Sequence, residues 1–398
     1  MTELARSITA QCWAALGGDP AALDRLEFSG AGGLASQYAT SDLAAASVAT
    51  AGLALGELAG ADGVAVDRRL ASFWFAASLR PQGWAPPDPL DPVIGDYRAA
   101  DGWIRLHTNA PHHRAASLRV LGCAASREAV GGAVARWGAQ ALEAAVVESG
   151  GCAAALRGPA EWAAHPQGLA IAAEPLIHQR ILPGRADPRP LDPARPLAGI
   201  RVLDLTRVLA GPVASRFLAG FGAEVLRIDP PDWQEPGLAP EVTLGKSCAR
   251  LDLHSPEGRR IFETLLAGAD VFLNGYRPGA LDELGFGAAA RRALAPGLVD
   301  VCLCAYGWSG PWTGRRGFDS LVQMSTGLAE AARPDAPPTP LPVQALDHAT
   351  GYLMAATAIA GLARRRAHGH GTAARLSLAR TAWLLAGADV FLNGYRPG

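Results

Sequence analysis

In the second half of the chain, short apolar runs alternate with amphipathic stretches, and this alternation predicts a regular order of elements. Residues 200–206 (Ile-Arg-Val-Leu-Asp-Leu-Thr) read as a buried strand. Ala210-Gly211-Pro212 reads as a tight turn, with proline placed for the first turn of a helix over 213–219. Gly220-Phe221-Gly222 closes that helix, and 223–228 supplies a second strand ending at Asp229. Strand-like runs at 271–273 and 298–305 follow, separated by helical patterns at 256–266 and 288–294. The β-α-β order over 196–310 predicts an α/β fold, a doubly wound parallel sheet with right-handed crossovers. The front region is less regular. It shows helical character at 44–58 and 128–147, and residues 97–107 read as a turn feeding a strand.

Proline and glycine punctuate this pattern. Five prolines lie in the fifteen residues 182–196, which denies that stretch both helix and central strand and marks it as an interdomain linker. Further proline-rich segments at 86–92 and 333–342 read as loops. The division predicted is therefore a front region at 1–181, a linker at 182–196 and a sheet domain at 197–383. Residues 265–279 (Leu-Leu-Ala-Gly-Ala-Asp-Val-Phe-Leu-Asn-Gly-Tyr-Arg-Pro-Gly) recur letter for letter at 384–398. Structural repeats diverge, so the second copy reads as an assembly or frame artefact, expected to pack poorly and to bind nothing.

Composition narrows the functional classes. Thirty-six basic and 37 acidic residues leave a net charge of −1, which excludes diffuse attraction for nucleic acid or an anionic membrane; an anionic ligand needs a local site. Lys246 is the only lysine among the basic residues. This arginine bias and the over-use of alanine match a GC-rich genome. Six cysteines without a C-x-x-C pair give neither a disulfide framework nor a metal site, and indicate reduced thiols. Cys302 and Cys304 alternate on one face of a predicted buried strand. The first residues lack the basic-then-apolar order of a signal peptide, and the longest uncharged apolar stretch, 349–363, is too short to span a bilayer, so a cytoplasmic location is expected. The strand–turn–helix–strand–acid order suggests a dinucleotide fold, but no G-x-G-x-x-G follows the first strand. Gly245-Lys246-Ser247 also lacks the upstream glycine of a phosphate-cradling loop.

Several segments after the linker resemble the class III CoA-transferase family, the CaiB/BaiF group that includes formyl-CoA transferase and α-methylacyl-CoA racemase. The resemblance covers about 190 residues in consistent order. It is carried by 196–212, by 222–231, by Leu251-Asp-Leu-His-Ser-Pro-Glu-Gly258, by Tyr276-Arg277-Pro278-Gly279, and by Tyr306-Gly-Trp-Ser-Gly-Pro-Trp312 continuing to Gly317-Phe318-Asp319. It implies a Rossmann-like sheet domain with a smaller α+β domain, and a single aspartate nucleophile, which here is Asp347 in Leu346-Asp347-His348-Ala-Thr-Gly351. At a helix N-terminus the dipole would hold that carboxylate ionised, and Gly351 would let a thioester approach the backbone. An N-cap is the other role open to such an aspartate.

The resemblance further implies CoA contacts from Arg207, Val208 and Ala210 after the first strand, from Lys246 facing phosphate, and from Asn274, Tyr276, Arg277, Pro278 and Gly279. The family's Asn-Phe-Arg-Pro-Gly reads Gly-Tyr-Arg-Pro-Gly here, preceded by Asn274. No metal or permanently bound cofactor is expected, and coenzyme A or acyl-CoA enters as substrate. The partners expected are acyl-CoA and a carboxylic acid, with no nucleic acid or membrane, and a homodimer is possible. The racemase branch carries a histidine where this chain has Phe318. In the front region, 95–104 looks like the family's small-domain strand, 161–167 like one of its helices, and Asp42 faintly echoes Asp347, so the family's pieces stand in swapped order. The function expected is CoA transfer through aspartyl-anhydride and aspartyl-CoA intermediates. The alternatives are an acyl-CoA racemase or CoA-dependent lyase, and a catalytically silent CoA-binding partner subunit.

Overall fold

A computed structural model describes residues 2–88, 90–187, 189–333 and 336–393. The chain opens with α1 (Thr2–Leu16), β1 (Leu26–Ser29), α2 (Thr40–Ala59), β2 (Val64–Asp67) and α3 (Arg68–Ala76). A small unit follows: β3 (Gly95–Arg98), β4 (Trp103–Leu106), α4 (Pro111–Leu121), α5 (Arg127–Val134), α6 (Ala139–Glu148) and β5 (Ala153–Ala155). Its three strands form an antiparallel sheet over its own apolar cluster around Ile104, Leu106 and Leu142. The helix expected over 128–147 is two helices, because the chain turns at Trp137-Gly138, where Asp101 accepts the Ala139 N–H at 2.7 Å. Helices α7 (Pro159–Ala164) and α8 (Pro166–Ala173) lead to β6 (His178–Pro183).

The remaining elements are β7 (Arg201–Leu205), α9 (Ala210–Gly220), β8 (Glu224–Asp229), α10 (Ala239–Val242), β9 (Lys246–Arg250), α11 (Pro256–Ala267), β10 (Val271–Asn274), α12 (Ala280–Glu283), α13 (Ala288–Leu294), β11 (Val299–Cys304), α14 (Asp319–Thr326), α15 (Ala345–His368), β12 (His370–Ser377) and α16 (Leu378–Asn393). Seven strands make one sheet in the order β6-β12-β11-β10-β7-β8-β9, all parallel except β6, which pairs antiparallel with β12. The strand pattern predicted from sequence is therefore present, with an antiparallel edge that it did not anticipate. The proline-rich stretch 182–196, expected to link domains, runs between two strands of this one sheet. The front region supplies β6 to the sheet and α1 and α2 to its main core.

Apolar side chains cover both faces of the sheet. Phe262, Leu266, Phe272 and Phe286 close one face under α11 and α13. On the other, α15 packs against α9 and α2. Fully buried Ala44, Ala45, Ala46 and Ala49 on α2 and Ala349, Ala355, Ala356 and Ala358 on α15 belong to this core. Small side chains let helix backbones approach closely, so in these two helices the alanine excess has a packing use. The α2 helix is long and apolar enough to cross a bilayer, but 78% of its most apolar window is buried inside the protein. The end of the chain departs from expectation in one respect: Leu384 and Leu385, the first letters of the second copy, are buried in the main core. Gly394 to Gly398 lie outside the described residues.

Candidate active site

The order of the sheet reverses at β7: the chain leaves it toward β8 and later returns on its other side as β10. In open α/β sheets such a switch opens a crevice beyond the carboxyl ends of the strands. Here the loops after β7 and β10 border a cavity of about 520 Å³, closed by the segment before α14, by the start of α15 and by α4 of the small unit. It gathers Asp347, Arg207, Val208, Ala210, Tyr276, Arg277 and Pro278 from the expected residues. A somewhat larger apolar cavity, about 570 Å³, lies between α3 and α9 around Leu70, Trp74 and Phe221, and contains none of them.

Asp347 is the third residue of α15 and is buried. Its backbone N–H donates to Asp319 Oδ2 at 2.9 Å. Two buried carboxyl groups thus sit side by side. Burial first, and then the negative charge of Asp319, push the Asp347 carboxyl well above the usual carboxylate range. Asp319 is also raised by burial, against the lowering effect of N–H donors from Asp347, Gln323 and Leu346. Desolvation and a like charge thus oppose the stabilisation that the helix dipole was expected to give the ionised Asp347 carboxylate. Gly351 is also reassigned. A Cβ there would stand 2.4 Å from the Ala210 carbonyl oxygen and 2.9 Å from Val213 Cβ, so the close approach it permits is that of α9, not of a ligand.

The loop after β7 is strained and pinned. Val208 has φ +67°, and it is the one non-glycine residue with positive φ among the described residues. For a β-branched side chain this is a genuine outlier. Its N–H donates to Glu235 Oε2 at 3.1 Å. Arg207 lies between aromatic faces, its guanidinium carbon 5.0 Å from the Trp233 ring and 4.6 Å from that of Tyr276, and it donates to the Tyr276 hydroxyl. Arg277 is exposed at the cavity wall with no ion pair among the described residues, a free cation of the kind phosphate requires.

Three expected CoA contacts are placed elsewhere. The Lys246 side chain is fully enclosed: Nζ donates to Ser215 Oγ at 2.6 Å and to the Pro212 carbonyl at 3.0 Å, with Asp204 Oδ2 at 3.5 Å. Burial lowers its pKa against the pull of Asp204. Asp204 also accepts from the Thr206 backbone and hydroxyl and from Ser215. The only lysine therefore anchors the base of the β7 loop and the start of α9 and does not line the cavity. Asn274 is buried, accepting the Tyr276 N–H at 2.8 Å, and shapes the turn that presents Tyr276 and Arg277. Gly279, at φ +86°, starts α12 and borders a neighbouring cavity of about 300 Å³ that Asn274, Tyr276, Arg277 and Pro278 also line.

Sequence reasoning missed the contribution of the small unit. His107 stacks on Phe318 with centroids 3.7 Å apart, and His113 meets the same ring edge-on at 5.9 Å. The adjacent histidines 112 and 113 were the available signal. Of the two alternating cysteines, Cys304 reaches the cavity, where burial pushes its thiol up and keeps it protonated, while Cys302 is buried against Asp300 and Asn274. Asp42 is the third residue of α2, as Asp347 is of α15, but it is tied to Arg68 at 3.0 and 3.2 Å and does not line the cavity. All six cysteines are free, and no group of metal-ligating side chains occurs among the described residues.

Residues 197–398 match the family model described as CoA-transferase family III. The chain is 34% identical over 193 residues to a probable fatty acyl-CoA transferase of Mycobacterium tuberculosis, covering 45% of this chain and 49% of that protein. It is 35% identical over 194 residues to the succinyl-CoA:glutarate CoA-transferase of Mus musculus, covering 45% and 44%. An acyl-CoA transferase of Gibberella moniliformis is 29% identical over 322 residues, covering 71% of this chain and 55% of that protein, and so takes in part of the front region. The chain spans about half the length of the curated relatives it matches.

Proposed function

The chain belongs to CoA-transferase family III, and from that premise we propose that it moves CoA from an acyl-CoA donor to a carboxylic acid, with Asp347 as nucleophile. The observation that carries this reading is the carboxyl of Asp347, desolvated beside Asp319 in the cavity bordered by the Arg207 and Arg277 loops. A carboxylate with a raised pKa is more basic and a better nucleophile once ionised. The names of the relatives, all acyl-CoA or succinyl-CoA transferases, support the same chemistry.

In this reading an Asp347 oxygen attacks the thioester carbonyl carbon and the C–S bond breaks. CoA leaves as thiolate and an acyl–aspartyl anhydride remains. The thiolate attacks the aspartyl carbonyl, expelling the donor acid and forming an aspartyl-CoA thioester. The acceptor carboxylate attacks that thioester and frees the thiolate, which then takes the new acyl group and restores Asp347. A series of covalent displacements replaces one difficult exchange. Arg277 is positioned for a CoA phosphate, and the Arg207–Trp233–Tyr276 stack forms a flat wall suited to the adenine end. CoA serves as substrate, with no resident cofactor in the cycle. Phe318 transfers no proton, which disfavours a two-base racemase.

Intact-mass measurement after incubation with assorted acyl-CoAs tests the assignment. A hydroxylamine-sensitive adduct is expected on the parent chain and none on Asp347→Asn. Full transfer activity in Asp347→Asn would sink the nucleophile, while CoA binding without any adduct would favour a silent CoA-binding subunit.

A further inference from the structure

The cavity of about 300 Å³ beside the reaction cavity shares with it the turn formed by Tyr276, Arg277 and Pro278, but its far wall is the edge of the sheet. Alternation along β6 places His178 and Arg180 on one face, and their partners across the antiparallel pair are Arg375 and Ala373 of β12. All four line this cavity, as does Arg292 of α13. Arg180, Arg277 and Arg375 are exposed, Arg292 is half-buried, and none of the four pairs with a carboxylate among the described residues. Arg291 is the reverse case. It is buried, donates to Asp300 Oδ2 at 2.7 and 2.9 Å and to the Phe286 carbonyl at 2.7 Å, and so uses up one of the two carboxylates on the lining; the other is Asp282. Like charges that face each other across a strand pair destabilise it. In a chain of net charge −1, an anion from outside is the counter-charge that this face lacks. A second observation concerns Asn274, which is 6% exposed on the same lining. The one partner of its amide nitrogen among the described residues is Cys302 Sγ at 3.8 Å, a weak acceptor, which leaves an amide N–H unpaired.

We propose that this cavity binds a diphosphate ester on Arg180, Arg292 and Arg375, and that its occupant draws Arg277 away from the reaction cavity and so weakens CoA binding there. The binding stands on this cavity alone, while the regulation rests on the CoA reading above. Guanidinium forks around a small cavity match the oxygens of adjacent phosphates, each accepting in pairs. Arg375 is held over the Trp308 ring at 4.8 Å, and Trp308 Nε1 donates to the Leu376 carbonyl at 2.9 Å, so this cation is fixed before any ligand arrives. Because Arg277 borders both cavities, a ligand in either one competes for the same cation, and the coupling between them is reciprocal.

Inorganic pyrophosphate is the probe, titrated by calorimetry into the whole chain at fixed ionic strength. Its binding is expected to weaken about tenfold or more in Arg180→Gln and again in Arg375→Gln, and to be unchanged in Arg136→Gln, an exposed arginine of the small unit. Saturating pyrophosphate is expected to lower CoA affinity about fivefold in the parent and to leave it unchanged in the Arg180→Gln/Arg375→Gln double variant, whose CoA affinity without pyrophosphate should equal the parent's. Absence of pyrophosphate binding would overturn the proposal. So would equal weakening by Arg136→Gln, the mark of diffuse attraction, or equal loss of CoA affinity in parent and double variant, which would put the probe in CoA's own phosphate site. Unchanged CoA affinity with pyrophosphate bound would overturn the regulatory half. Pyrophosphate binding is read without any acyl-CoA, so a failure of the transfer reading, seen as absence of an adduct on Asp347, remains a separate result.

Discussion

At Asp347 the balance of forces is decided by its immediate neighbours. A helix N-terminus supplies about half a unit charge of stabilisation to a carboxylate, while burial and a second carboxyl oppose ionisation more strongly. The reactive form is therefore scarce at low pH, and adduct formation should rise with pH through a range above that of an ordinary aspartate. Asp319→Asn keeps an oxygen to accept the Asp347 N–H and removes the like charge. Its acid limb is expected to move down by about one pH unit, as read from the pH dependence of single-turnover adduct formation; an unmoved limb would show that Asp319 has no electrostatic part. Asp347, Arg207 and Arg277 were legible because short motifs name them. Lys246 was not, since its rarity says nothing of burial, and only the fold shows that Asp204 and Ser215 enclose it. His113 escaped notice for the opposite reason: its significance comes from elements distant in sequence that meet at one cavity.

At the scale of elements, the strands and helices over 200–305 follow the sequence pattern closely because each is a buried run bounded by glycine or proline. The front region was harder to read, since its alanine-rich helices carry little periodicity and their partner is α15, about 300 residues away in sequence. The contact of α9 with α15 depends on Gly351. A methyl group there would meet the Ala210 carbonyl oxygen at 2.4 Å and the Val213 Cβ at 2.9 Å, a backbone atom and the stiff base of a β-branched side chain. Gly351→Ala is expected to cost about 1–3 kcal/mol of stability, measured by urea unfolding, and to displace the adjoining Val208 loop. A cost below about 0.5 kcal/mol would mean that the two helices can separate freely.

For the whole molecule, three buried histidines set the acid limit. Burial lowers His107 to about 3, His113 to about 4 and His348 to about 3, with neighbouring cations adding to the effect. In the folded state these rings stay neutral, whereas the unfolded chain protonates them below about pH 6.5. Stability is thus fully present above that value and is lost as pH falls toward the folded values, by about 2 kcal/mol per histidine at pH 5. The Asp347 and Asp319 pair, raised in the fold, works in the opposite sense. Calorimetric Tm values from pH 7 to pH 5 should fall steeply for the parent and less for His348→Gln; parallel curves would remove His348 from the account. The identical residues at 265–274 and 384–393 have a different consequence. In the first copy they end α11 and form the central strand β10; in the second they continue α16 as helix. Conformation here belongs to the address rather than to the spelling. A peptide-based hydrogen-exchange map or an antibody raised to this stretch would report one averaged signal from a sheet interior and a terminal helix, unless its fragments carry enough flanking sequence to tell the two apart.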